Sequence, residues 1–255
     1  MYTDGQLEEL EAEERTITDE AIAVIISILS GLSKDVENEL RKFYQKYGDD
    51  GVVTYKEARK WVDSKDHRKR LFVLYLALDE HFTNSFEKVE IEFRKFLTKV
   101  IELESEFFDV DLDVEKLLDK SWGNDDLNWF ERLRDDFEYY EAKLFSNIKA
   151  AMIREFEIDD VIDELEQLIT SFGKTEDALG ITESTTTNSF ARKEIMKTKG
   201  AKRYRFYARE DERTCEHCGA LHGKVFPIAQ FEIGVTASPI HPRCRCWEVP
   251  IINED

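Results

Sequence analysis

An α+β chain is predicted: a long, mostly α-helical N-terminal region followed by a small α/β C-terminal module with a Cys/His cluster. Three observations predict it. All four cysteines and all four prolines lie beyond residue 214. The net charge of −19 falls wholly within residues 1–200, because residues 201–255 hold as many basic as acidic side chains. Before residue 200, apolar residues recur every third or fourth position, as in Leu71, Leu74, Tyr75 and Leu78, the period of a helix with one buried face. The predicted division is an acidic helical region over 1–180 and the module over 181–255.

Size and composition limit what the chain does. With 255 residues, 42% of them hydrophobic and including 17 Phe, 9 Tyr and 4 Trp, it buries a sizeable core. The longest apolar runs, 21–29 (broken only by Ser27) and 71–78, fall short of the roughly 20 residues that span a bilayer as a helix, so no membrane partner is expected. Residues 1–20 are rich in Glu, the opposite of a signal peptide's basic start, which predicts function in a reducing cytoplasm. An acidic surface repels phosphate backbones, so the first 200 residues are poor candidates for holding DNA.

Taken in order, the periodic segments predict helices over 6–31, 34–47, 54–63, 67–81, 84–106, 113–120, 125–151, 157–171 and 175–198. Thr54 with Glu57 reads as a capping box, Ser64 as a cap, and Gly123-Asn124 and Gly173 as stops. Residues 46–57 imitate a calcium loop, with Gly51 and Glu57 at its sixth and twelfth places. Lys46 and Gly48 at the first and third places remove two oxygen ligands, so a turn and a capped helix are expected instead. The carboxylate-dense stretches 8–14 and 159–166 read as solvated helix faces, and His67 and His81 as isolated surface or core residues.

The pattern changes beyond Gly200. Residues 202–209 alternate, with Tyr204, Phe206 and Ala208 on one face and Arg203, Arg205, Tyr207 and Arg209 on the other, as in a half-buried strand. Lys197, Lys199, Lys202, Arg203, Arg205 and Arg209 form a basic run without an acid. A weak DNA contact there is one expectation, and packing of the basic face near acidic helices or water is the favoured one.

The cysteines define the candidate site. Cys215 and Cys218 form a Cys-x-x-Cys turn, which aims two sulfurs at one ion, and His241, Cys244 and Cys246 follow. Zinc favours four such ligands in a tetrahedron. Cys244 and Cys246, two apart, would share a strand face, so either four cysteines or three plus His241 complete the set. Closed coordination leaves no position for a reacting water, which predicts one structural Zn2+ per chain and no catalysis. Disulfides suit an oxidising compartment that nothing here indicates. A thioredoxin-like pair leaves two cysteines unexplained, and a zinc deaminase needs its His-x-Glu in another order. No Ser-His-Asp signature or Gly-rich phosphate loop is present, so neither enzyme activity nor a small-molecule substrate is expected.

These residues resemble a known family. Thr214 with Cys215 and Cys218, the Gly223-Lys-Val-Phe stretch, and the His241-Pro-Arg-Cys-Arg-Cys stretch are together similar to the phage Mu F-like head morphogenesis domain. The run Thr182-Glu183 within 181–190 looks like its approach. Ser238-Pro239 departs slightly, standing where the family often has two prolines. The match covers roughly residues 180–250. The resemblance implies a minor head protein of tailed phages that associates with the portal vertex during procapsid assembly in the host cytoplasm. It would be carried in the virion head near the portal, without catalytic residues. Portal protein, and with it scaffold or major capsid protein, are the implied partners, met by the acidic helices. A zinc-containing DNA-binding protein acting on packaged or ejected phage DNA is the alternative.

Overall fold

In the computed structural model, residues 3–63 and 65–251 are described; Ser64, read as a cap, lies outside them. Four long helices dominate: α1 (Asp4–Tyr47), α3 (Arg70–Phe108), α5 (Trp129–Arg154) and α6 (Ile158–Thr198). Short helices α2 (Tyr55–Ala58) and α4 (Val114–Leu118) lie between them. After α6 come β1 (Arg203–Tyr207), α7 (Glu216–Leu221), β2 (Val225–Pro227) and β3 (Trp247–Ile251). The α+β class is as expected.

Helices predicted as pairs are continuous. The stretches 6–31 and 34–47 are one helix, as are 67–81 with 84–106 and 157–171 with 175–198. In α1 the reason is an unbroken stripe of buried residues, Leu7, Leu10, Glu14, Thr18, Ala21, Ile25, Leu29, Leu32, Val36 and Leu40, spaced three or four apart. A single interior Gly31 costs only about 1 kcal/mol, which such burial outweighs. The glycines of α6 serve close approach rather than termination. A Cβ at Gly173 would lie 3.1 Å from Ile26 Cδ1, and one at Gly180 would lie 3.0 Å from Ile22 Cγ1.

One 18-residue window of α1 has a mean hydropathy of 1.5, long and apolar enough to cross a membrane by length and composition. The expectation of no span rested on unbroken apolar runs, and this window tolerates isolated polar residues.

Contacts divide the chain into two compact units. Unit 1 comprises Met1–Ala23, Ile91–Arg132 and Asp177–Asp255, and unit 2 comprises Val24–Glu90 and Leu133–Glu176. Residue 180, the boundary expected from composition, falls inside α6, and unit 1 draws on both sides of it. Unit 2 packs aromatic rings: Tyr140 stacks on Phe172 at 4.3 Å, and Phe137 meets Phe172 edge-on at 4.7 Å. Its loop after α1 is the expected turn and capped helix. Asp50 (φ 48°) and Gly51 (φ 79°) make the turn, and Thr54 accepts from the Glu57 N–H at 3.2 Å. His67 is exposed and His81 lies 3.8 Å from Asp35.

Unit 1 gathers Leu7, Leu10, Phe108, Val110 and Ile195 into one cluster. Its sheet has the order β2-β1-β3, antiparallel throughout, with Tyr204 opposite Phe226 and Pro250. The alternation read in the sequence holds, since Tyr204 and Phe206 are wholly buried and Ala208 nearly so, while Arg203 and Arg205 are exposed.

Candidate metal centre

β1 supplies the floor of the centre. Phe206 and Ala208 pack with Cys218, Cys244 and Cys246, and Cys215, Leu221, Phe226 and Ile240 close the cluster. Cys215 caps α7 with an extended backbone, its sulfur accepting from the Cys218 N–H at 3.3 Å. This places Cys218 one turn on, facing inward.

Two triads share Cys218. Cys215, Cys218 and His241 have ligand atoms within 4.8 Å of one another, and so do Cys218, Cys244 and Cys246. His241 Nε2 is 3.4 Å from Cys218 Sγ, and Cys244 Sγ is 3.9 Å from it. His241 Nδ1 lies 2.8 Å from the Pro242 carbonyl, a bond that turns Nε2 toward the sulfurs. All four thiols are free. A hydrogen bond from Cys246 holds the Cys244 thiol down to about 5, while the same bond and burial push Cys246 up. The Cys218 N–H lowers Cys215, and burial raises Cys218 to about 12. The five predicted residues therefore fall into two triads that meet at Cys218. Cys244 and Cys246 reach it from the loop before β3 rather than from a strand. His222 stands apart, its Nδ1 3.1 Å from the Ala208 carbonyl.

Of the basic run, Lys197 pairs with Glu194, Lys199 donates to the Asp109 carbonyl and Arg209 pairs with Asp211. Lys202, Arg203 and Arg205 are exposed at β1.

A second constellation was missed. By spacing the stretch 8–14 reads as a solvated face, and residues 159–166 do expose Asp159, Asp160, Asp163 and Glu166. Glu14, however, is buried at 5% exposure. Its two oxygens accept from Asn188 Nδ2 at 2.6 Å each, and the same amide reaches Glu104 Oε1 at 3.1 Å. Arg192, wholly buried, donates to Glu104 Oε1 and to the Glu248 carbonyl, and pairs with Glu11 at 2.5 Å. Burial raises Glu11 to about 7 and Glu14 well above the usual range. Burial also raises Glu248 to about 7 against bonds from Ser238 and Ser189. The signal was present in sequence: Glu14 lies on the apolar stripe of α1, where a solvated carboxylate does not belong.

The fold is thus a helical chain whose small antiparallel sheet packs against a Cys/His cluster. Residues 143–249 match the family model described as Phage Mu protein F like protein, which supports the resemblance carried by the cysteine motifs. The match begins within α5, upstream of the stretch recognised in the sequence. No curated protein and no solved structure matches.

Proposed function

We propose that this is a minor head protein that joins the portal vertex during procapsid assembly and travels in the virion, with one structural Zn2+ in its C-terminal module. The single observation that carries this reading is that the Cys/His residues of the family-matched segment converge on Cys218. Thiolates and imidazole at these distances suit zinc, and a closed set of protein ligands gives it a folding role rather than a chemical one. A module with so small a core gains much from such a staple. Catalysis has no part in this reading.

Portal protein is the first partner, with scaffold or major capsid protein beside it. Phe72 and Leu76, one turn apart on α3 and 51% and 42% exposed, offer an apolar contact on an acidic helical unit. Co-purification of the full chain with portal protein tests this. Binding is expected for the wild type and lost in Phe72→Glu/Leu76→Glu. Portal binding undiminished in that variant removes the surface, and no binding by the wild type removes the partner. Metal analysis of protein purified without chelator should find about one zinc per chain.

The exposure of Lys202, Arg203 and Arg205 supports a second reading, a weak contact with phage DNA. It predicts salt-dependent binding weakened in Arg203→Ala/Arg205→Ala, and no gel shift at low salt dismisses it.

A further inference from the structure

Away from the cysteines, unit 1 crowds three carboxylates together. Glu11 and Glu14 come from α1 and Glu104 from α3, and one oxygen of each lies within 4.8 Å of the others. Arg192 faces all three, its Nη2 2.5 Å from Glu11, 4.0 Å from Glu14 and 2.6 Å from Glu104. Arg15 also bears on Glu11, whereas Glu104 and Glu11 both crowd Glu14. Asn188 is neutral, and by donating to both Glu14 and Glu104 it holds their carboxylates together where they would otherwise repel.

A separate observation marks a missing partner. Glu104 is wholly buried, and although Oε1 takes bonds from Arg192 and Asn188, its Oε2 has none. A buried carboxylate oxygen without a partner is costly, and native structures seldom leave one so. A cleft of about 650 Å3 adjoins Glu11, Glu14 and Asn188, and Arg15, Arg209, Arg213 and Arg245 also line it. It provides an entry path and room for water.

We infer that Glu11, Glu14 and Glu104 hold one hard divalent cation of the Mg2+, Ca2+ or Mn2+ class. The donors are all oxygens, which suit those ions and not the thiolate-preferring metal of the cysteine cluster. Carboxylates on two helices then share a ligand, and water from the cleft fills the positions that Mg2+ and Ca2+ keep hydrated. The site is independent of the zinc reading.

Mn2+ titration of the full chain, followed by paramagnetic resonance and calorimetry, tests it. Saturable binding of one Mn2+ is expected, weakened about tenfold or more in Glu14→Gln and in Glu104→Gln. If the buried Glu104→Gln does not fold, Glu11→Gln at the cleft carries the comparison. Cys218→Ser should leave Mn2+ affinity unchanged, so that loss of zinc and loss of this site are told apart. Absence of saturable Mn2+ binding by folded wild type overturns the inference, and means the carboxylates are neutralised by protons. Equal affinity in wild type and in every Glu variant that folds overturns it too, since binding then lies elsewhere on an acidic surface.

Discussion

Arg192 directs Nε and Nη2 onto a single oxygen of Glu104, at 2.9 and 2.6 Å, with both side chains wholly buried. Burial alone would lower the guanidinium's pKa, but Glu104, Glu11 and Glu14 more than offset it, so Arg192 stays charged. It is the counter-ion of three carboxylates. Arg192→Met should therefore cost about 3–5 kcal/mol, the penalty for leaving buried charge unanswered. Arg192→Lys should recover only part, because one ammonium cannot reproduce the planar fork that also reaches the Glu248 carbonyl. Urea denaturation of the three proteins checks the order.

Cys218 belongs to both cysteine triads, whereas His222 belongs to neither. Cys218→Ser should abolish stoichiometric zinc, and His222→Ala should retain it, losing only the bond to the Ala208 carbonyl. Comparing His241→Ala with Cys246→Ser then shows which residue completes the set, since the outsider's loss leaves zinc content intact. Zinc retained in Cys218→Ser would remove the proposed centre.

Glu176 in unit 2 is wholly buried and neither of its oxygens has a partner. Burial, with the nearby Asp136 charge, raises its pKa well above the ordinary 4.5 of a glutamate. The folded state thus keeps a proton that the unfolded chain releases. Below pH 4.5 both states are protonated and the group's contribution is full. Above it, stability falls by about 1.4 kcal/mol per pH unit until the folded pKa is reached. Glu176→Gln removes this dependence, so its stability relative to wild type should be greater at pH 8 than at pH 5. Thermal melts across that range measure it, and a constant difference would contradict the assignment.

How far the sequence carried depended on whether the signal was local. Cys-x-x-Cys spacing and the alternation of Tyr204, Phe206 and Ala208 are fixed by neighbours in the chain, so the cysteine centre and β1 were legible. The buried polar network was not, because Glu14, Glu104 and Arg192 meet from three helices separated by up to 178 positions. Glycine misled for a related reason. Gly173 reads as a stop by propensity, but its meaning lies in Ile26, against which it packs.

Gly48 and Gly31 give that last point a quantitative form. A Cβ at Gly48 would meet the Tyr44 carbonyl oxygen at 2.5 Å and the Val52 carbonyl oxygen at 2.8 Å, both backbone atoms that cannot swing aside. The same turn is closed by the Gly48 N–H on Tyr44 and by the paired bonds of Asp49 and Val52, so relief requires opening the loop before α2. Gly48→Ala should cost about 1–3 kcal/mol, as overpacking does. At Gly31, inside α1, an added Cβ meets nothing within 4 Å. There Gly31→Ala should stabilise by about 0.5–1 kcal/mol, because alanine loses less backbone freedom on entering a helix. Denaturant midpoints of the two variants should move in opposite directions from the wild type. Movement in the same direction would mean that either the loop geometry or the continuity of α1 through residue 31 is wrong.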